Sequence, residues 1–159
     1  MANMIWHGLA IGIGATVLFD LWNLLLNRLA GIPLPNWAFV GRWFRHLFRG
    51  RLVHPDISRA EPVPQELAWG WAFHYAVGAS FGLATVLLGG SGWLKAPTLA
   101  IPMAVGIGTV LFGWLVLAPG MGAGIAARLK PNATQIRVLN LIAHTIFGLA
   151  MYALARLLS

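Results

Sequence analysis

Long apolar runs separated by polar connectors dominate this chain. The runs lie at about 4–27, 67–89, 96–118 and 138–158. A helix rising ~1.5 Å per residue needs about 20 residues to cross the ~30 Å hydrocarbon layer, and each run is long enough. None alternates in period two, as a membrane strand would. The pattern predicts an all-α fold: a single integral membrane domain of four transmembrane helices.

The first connector, about 28–66, is patterned too. Gly31-Ile32-Pro33-Leu34-Pro35 ends the first helix, and Asn36 is placed to cap a short helix running to about Arg49. Trp37, Val40, Phe44, Leu47 and Phe48 fall on one side of it, and Arg42, Arg45, His46 and Arg49 mostly on the other. An aromatic and basic amphipathic helix of this kind lies in the membrane interface. The residues expected there are Trp37, Arg42, Trp43, Phe44, Arg45, Phe48 and Arg49. The alternative is that the helix packs onto the protein's own cytoplasmic end. Beyond it, His54, Asp56 and Glu61 match no metal-binding spacing and read as a solvated loop. The second connector, 89–95, reads as a tight hairpin with an interfacial Trp93. The third opens with Pro119-Gly120-Met121-Gly122-Ala123-Gly124, and no Walker lysine follows these glycines.

Within the spans, small and polar residues recur at steps of three and four. Span one carries Gly12, Thr16, Asp20, Asn23 and Asn27; span two Gly70, His74, Gly78 and Gly82; span three Pro102, Gly106, Thr109 and Gly113; span four Arg137, Asn140, His144, Gly148 and Tyr152. Such stripes face neighbouring helices, because lipid offers polar groups no partner and small residues permit close approach. Gly12, Gly70, Gly78, Gly82, Gly106, Gly113 and Gly148 are thus the candidate packing positions. Asp20, His74 and His144 are expected roughly 10 Å inside the cytoplasmic face, at ~1.5 Å per residue. With Thr16, Asn23 and Asn140 they form a candidate polar cluster.

The spans also resemble one another in pairs. Gly12-Ile13-Gly14-Ala15-Thr16-Val17-Leu18-Phe19 matches Gly106-Ile107-Gly108-Thr109-Val110-Leu111-Phe112 with one residue of slip, and spans two and four share His-x-x-x-Gly at His74 and His144. This is the pattern of a duplicated two-helix unit, repeated in parallel about an axis along the membrane normal.

Composition agrees with a bilayer setting. Of 159 residues, 58% are hydrophobic and 9% charged, where a soluble domain carries about a quarter charged. The net charge of +7 does not call for nucleic acid, because the basic residues sit in connectors. Arg28, Arg42, Arg45, Arg49, Arg51, Arg59, Arg128, Lys130 and Arg137 lie in connectors one and three, against Lys95 and Arg156 on the other side. The positive-inside rule makes connectors one and three cytoplasmic and both termini periplasmic, in a bacterial inner membrane. The N-terminus has no basic n-region or cleavage site and reads as an uncleaved span.

Three readings of the polar cluster compete. Asp20 and the histidines are interhelical ties; they handle protons or ions; or His74 and His144 ligate a divalent metal or haem. The absence of cysteine removes thiolate ligands and nucleophiles. His-Glu-x-x-His is missing and no Ser stands in a nucleophile context, so no catalytic residue is assigned. The matching functions are a binding or accessory subunit of a membrane assembly, a small proton- or ion-linked transporter, and a metal- or haem-binding membrane protein. Partners would be the lipid bilayer, other membrane proteins or a second copy.

Gly12-x-Gly14-Ala15-Thr16, Asp20-Leu21-Trp22, Val40-Gly41-Arg42-Trp43, Gly70-Trp71-x-x-His74-Tyr75, Pro97-Thr98 and His144-x-x-x-Gly148 together resemble a bacterial family of small inner-membrane proteins. It is catalogued as domain-of-unknown-function family two-nine-three-eight. The resemblance covers nearly the whole chain and implies a multi-span membrane protein with no assigned activity. The family pattern carries a Gln before the proline that ends span three, where this chain has Ala118.

Overall fold

The computed structural model describes residues 2–159, which are mainly helical and contain no strand. In chain order come α1 (Ala2–Ala30), α2 (Trp37–Leu47), a 3₁₀ turn (Ile57–Arg59), α3 (Glu66–Lys95), α4 (Ala100–Gly120), a second 3₁₀ turn (Ile125–Ala127) and α5 (Ala133–Leu158). The helices α1, α3, α4 and α5 are each long and apolar enough to cross a membrane. Between 17% and 33% of each one's most apolar stretch is buried. Leu, Ile and Val on their outer faces are therefore left for lipid.

Three features depart from expectation. α3 breaks at Gly90 (φ 71°), where its apolar run was expected to end, but the residues from there to Lys95 are helical rather than a tight hairpin. Trp93 is buried and donates to the Thr98 carbonyl at 3.2 Å. α5 starts at Ala133, because Thr134, Gln135 and Arg137 extend the helix beyond its apolar part. α4 winds as a π-helix over Gly113–Leu117, ahead of Pro119, which cannot supply the next backbone donor.

The chain forms two compact units. The first comprises the residues through Leu34, with Tyr75–Thr109 and Leu141–Ser159. Its core is Ile11, Ala15, Val86, Trp93, Phe147, Ala150, Met151 and Ala155. The backbones approach closely at two places. A Cβ added to Gly12 would collide with the Gly78 carbonyl oxygen, and one added to Gly106 would stand 2.7 Å from the Gly148 Cα. In the pairing suggested by sequence, Gly12 corresponds to Gly106 and Gly78 to Gly148, so equivalent glycines meet in both halves of the repeat.

The second unit comprises Pro35–His74 and Val110–Asn140. Asn36 caps α2 by accepting from the Ala38 and Phe39 amides at 3.1 and 3.4 Å. The buried residues of α2 are Val40, Gly41, Arg42, Trp43 and His46. A Cβ on Gly41 would collide with the Glu66 carbonyl oxygen, and one on Gly70 with the Trp37 carbonyl oxygen. Around Gly113, by contrast, a Cβ would meet nothing within 4 Å. It is no packing position here: the wider π winding starting at Gly113 breaks the three-and-four spacing behind that expectation. Connectors one and three are joined directly, His54 N–H donating to the Gly120 carbonyl at 3.0 Å and Ile57 N–H to the Met121 carbonyl at 3.2 Å.

Candidate functional site

In the first unit, the polar residues of the spans bond across and along the helices. The Tyr75 hydroxyl of α3 donates to the Asp20 carboxylate of α1 at 3.0 Å. Thr16 is buried and donates to the Gly12 carbonyl at 2.8 Å, and Asn23 to the Phe19 carbonyl at 3.1 Å. His144 Nδ1 lies 3.0 Å from the Gly106 carbonyl and 3.2 Å from the Thr109 hydroxyl, which itself donates to the Gly106 carbonyl at 2.8 Å. A carbonyl can only accept, so the proton of a neutral His144 sits on Nδ1. The Phe19 ring meets the imidazole edge-on, centroids 6.4 Å apart. His144 thus ties α5 to α4, a polar bond inside a span.

His74 belongs to the second unit. Its ring stacks on the Trp37 indole with centroids 3.9 Å apart and planes 26° from parallel, and Trp71 approaches edge-on at 5.9 Å. Asn140 is in the same unit; with its amide turned to suit both neighbours, it donates to the Ile136 carbonyl at 3.3 Å and accepts from Trp114 Nε1 at 3.2 Å. Asp20, Thr16, Asn23 and His144 therefore fall in one unit, and His74 and Asn140 in the other. Among the described residues no group of three or more His, Cys, Asp or Glu side chains is placed to hold a metal ion.

α2 brings two corrections. Arg42 was expected among the residues at the membrane interface and is 6% exposed. Its Nε and Nη2 grip the Glu66 carboxylate at 2.8 and 2.9 Å, while Nη1 donates to the Ile57, Ser58 and Ala60 carbonyls at 3.1, 3.2 and 3.1 Å. The planar fork of Arg suits this work, since one guanidinium organises both the start of α3 and the connector before it. Hydrogen bonding to Glu66 raises the Arg42 pKa further against the opposing effect of burial. His54 was expected in a solvated loop and His46 on the basic side of α2; both are buried and bonded to each other: His46 Nδ1 lies 2.8 Å from His54 Nε2, and His54 Nδ1 lies 3.0 Å from the Gly120 carbonyl. The outward side of α2 holds Arg45 over the Trp69 ring at 4.7 Å, with the Phe48 side chain 70% exposed beyond it.

The family described as "Protein of unknown function (DUF2938)" matches residues 9–158. The chain belongs to this family. No curated protein and no solved structure matches it. Within this DUF2938 chain, sequence reasoning missed the residues that hold α2 in place. Gly41 carried one readable signal, a glycine inside an amphipathic helix, which marks a close backbone approach. Glu66 carried another, as the acidic residue opening the second apolar run of the DUF2938 chain. Tyr75, beside His74, gave no signal beyond being a hydroxyl within a span.

Proposed function

We propose that this chain is a polytopic protein of the bacterial inner membrane that works as a binding or accessory subunit of a membrane assembly. The observation that carries the reading is the tie made by His144, a neutral imidazole bound to the Gly106 carbonyl and the Thr109 hydroxyl. Thr16 is likewise bonded to the Gly12 carbonyl. Polar groups used as interhelical bonds fix helix register, while the outer faces, rich in Leu, Ile and Val, suit lipid and partner helices.

Charge and contact support one orientation. Connectors one and three hydrogen-bond to each other, and nine of the 11 basic residues lie in them or at the helix ends beside them. The positive-inside rule favours the cytoplasm for those connectors and the periplasm for both termini.

A second reading, a proton- or ion-linked carrier, is favoured by the Tyr75–Asp20 bond, an ionisable pair inside a span. Purification in mild detergent followed by mass spectrometry and elemental analysis separates the cases. Stoichiometric partner chains support the accessory reading. A lone chain whose reconstituted proton flux disappears in Asp20→Asn replaces it with the carrier, and one metal per chain, lost in His144→Ala, replaces it with a metal protein.

A further inference from the structure

The second unit holds a pair of histidines that the proposed function does not use. His46 closes α2 and is 0% exposed; His54 lies in the following connector and is 6% exposed. His54 reaches connector three twice, through its backbone N–H and its Nδ1, both directed at the Gly120 carbonyl. The His46–His54 bond is therefore one link by which the end of α2 holds the loop that opens connector three, beside the Ile57 N–H bond to the Met121 carbonyl.

The protons in this link can be counted. The Gly120 carbonyl accepts, so His54 carries its proton on Nδ1 and presents a lone pair at Nε2. That lone pair requires a proton on His46 Nδ1, 2.8 Å away. His46 Nε2 is then a bare lone pair, and this atom is buried with no hydrogen-bond partner. Two neutral imidazoles satisfy both bonds. A first added proton has one vacant basic nitrogen to go to, His46 Nε2. A second would occupy His54 Nε2 and set two donors against each other.

The surroundings oppose the added charge. Burial, then the facing His54 and the Arg49 guanidinium, and least Arg51, lower the pKa of His46; the Glu61 carbonyl, an acceptor for an added proton, works the other way and outweighs Arg51 alone. Arg42 stands one turn earlier on α2 with Glu66 as its counter-ion, and the Glu66 carboxylate also feels His46. Arg49 is ion-paired with Glu61 at 3.6 Å. The loop's Asp56 is engaged by the Ser58 hydroxyl and by Arg59. Among the described residues no third His, Cys, Asp or Glu joins the pair to form a metal site.

We propose that His46 and His54 form an acid-released latch, closed when both are neutral and opened by protonation, which frees the connector after α2 from connector three. The sign follows from linkage. His46 is a base whose pKa is depressed in the closed state, while an exposed histidine titrates near about 6.5. Above that pH neither state binds the proton. Below it the open state binds it and the closed state does not, so opening gains about tenfold per pH unit until the closed-state pKa is reached. Hydrogen bonds from Ser58 and from Arg42 hold the Asp56 and Glu66 carboxyls below the usual carboxylate range, away from this window.

Two measurements on the full chain in nanodiscs test the latch. Nitrogen-15 NMR of histidine-labelled protein at pH 7.5 is expected to show both rings neutral with the proton on Nδ1, the minority form for a free imidazole. Hydrogen exchange of residues 52–58 and 119–123 is expected to lose protection about tenfold per pH unit below about 6.5. The double variant His46→Gln/His54→Gln keeps a donor and an acceptor at each step and cannot titrate, so its protection is expected to stay flat. An Nε2–H or charged ring at pH 7.5, a flat wild-type profile, or a double variant that loses protection in parallel with the wild type overturns the proposal. If the double variant does not fold, the tautomers and the wild-type profile decide.

Discussion

Replacing Arg42 with Met should loosen the whole connector between α2 and α3 while leaving the spans in place. The guanidinium makes two bonds to Glu66 and one to each of three backbone carbonyl groups, at Ile57, Ser58 and Ala60. Met fills similar volume and removes all five. Breaking a buried ion pair from one side typically costs about 3–5 kcal/mol, because the remaining charge is left uncompensated. The Glu66 side chain is 22% exposed and can recruit some water, which places the cost near the low end, about 3 kcal/mol. At 1.4 kcal/mol per decade this is an increase in connector opening of roughly 100-fold. Hydrogen exchange and limited proteolysis over residues 50–65 read it directly. Arg42→Lys should fall between, since it keeps the charge and loses the fork. The double variant Arg42→Met/Glu66→Met should recover much of the loss, as apolar replacement of a buried pair is often neutral. If Arg42→Met exchanges and digests like the wild type, the guanidinium is not what holds the connector.

Other expectations rest on separate contacts. Gly106→Val should separate α4 from α5 and lower the melting temperature in detergent, because a Cβ there stands 2.7 Å from the Gly148 Cα, a backbone atom that cannot yield; an unchanged melt would contradict the close approach. Gly113→Ala should be tolerated or stabilising, since a Cβ there meets nothing within 4 Å and Ala is the better helix former by about 1 kcal/mol. Tyr75→Phe removes the hydroxyl bonded to Asp20, and a hydrogen bond to a charged group is typically worth about 1.5–3 kcal/mol; thermal melting of Tyr75→Phe against Asp20→Asn and the double variant should show non-additive losses. His144→Phe should destabilise more than His144→Asn, which retains a donor for the Gly106 carbonyl; equal losses would remove the tie from the account.

The spans were legible because each is a membrane-length apolar run, a signal that survives without tertiary information. Asn36 was legible as a cap because capping is local. The short helix after α3's break was not: hydropathy reads Gly89-Gly90-Ser91-Gly92 as the end of the span, and the helix does break at Gly90, but the chain then resumes as helix to Lys95. The buried side of α2 was hidden for a related reason. Amphipathicity assigns Arg42 and His46 to water by their chemistry, and only the distant chain at Ile57–Ala60, Glu66 and Gly120 supplies the partners that let them be buried. Long-range partners of this kind leave no local pattern. His144 was legible as a polar residue on a small-residue stripe, but its acceptor, the Gly106 carbonyl, is a backbone group that a side-chain inventory overlooks.

The central claim is a four-span protein whose basic connectors one and three share the cytoplasmic side. The chain has no cysteine, so single substitutions can be labelled without background. Arg59→Cys, Lys130→Cys, Ser91→Cys and Ser159→Cys all fall at exposed positions. In intact cells a membrane-impermeant maleimide should label the last two and spare the first two, with all four reacting after permeabilisation. Labelling of Arg59→Cys or Lys130→Cys from outside, or opposite results at those two positions, would contradict the account.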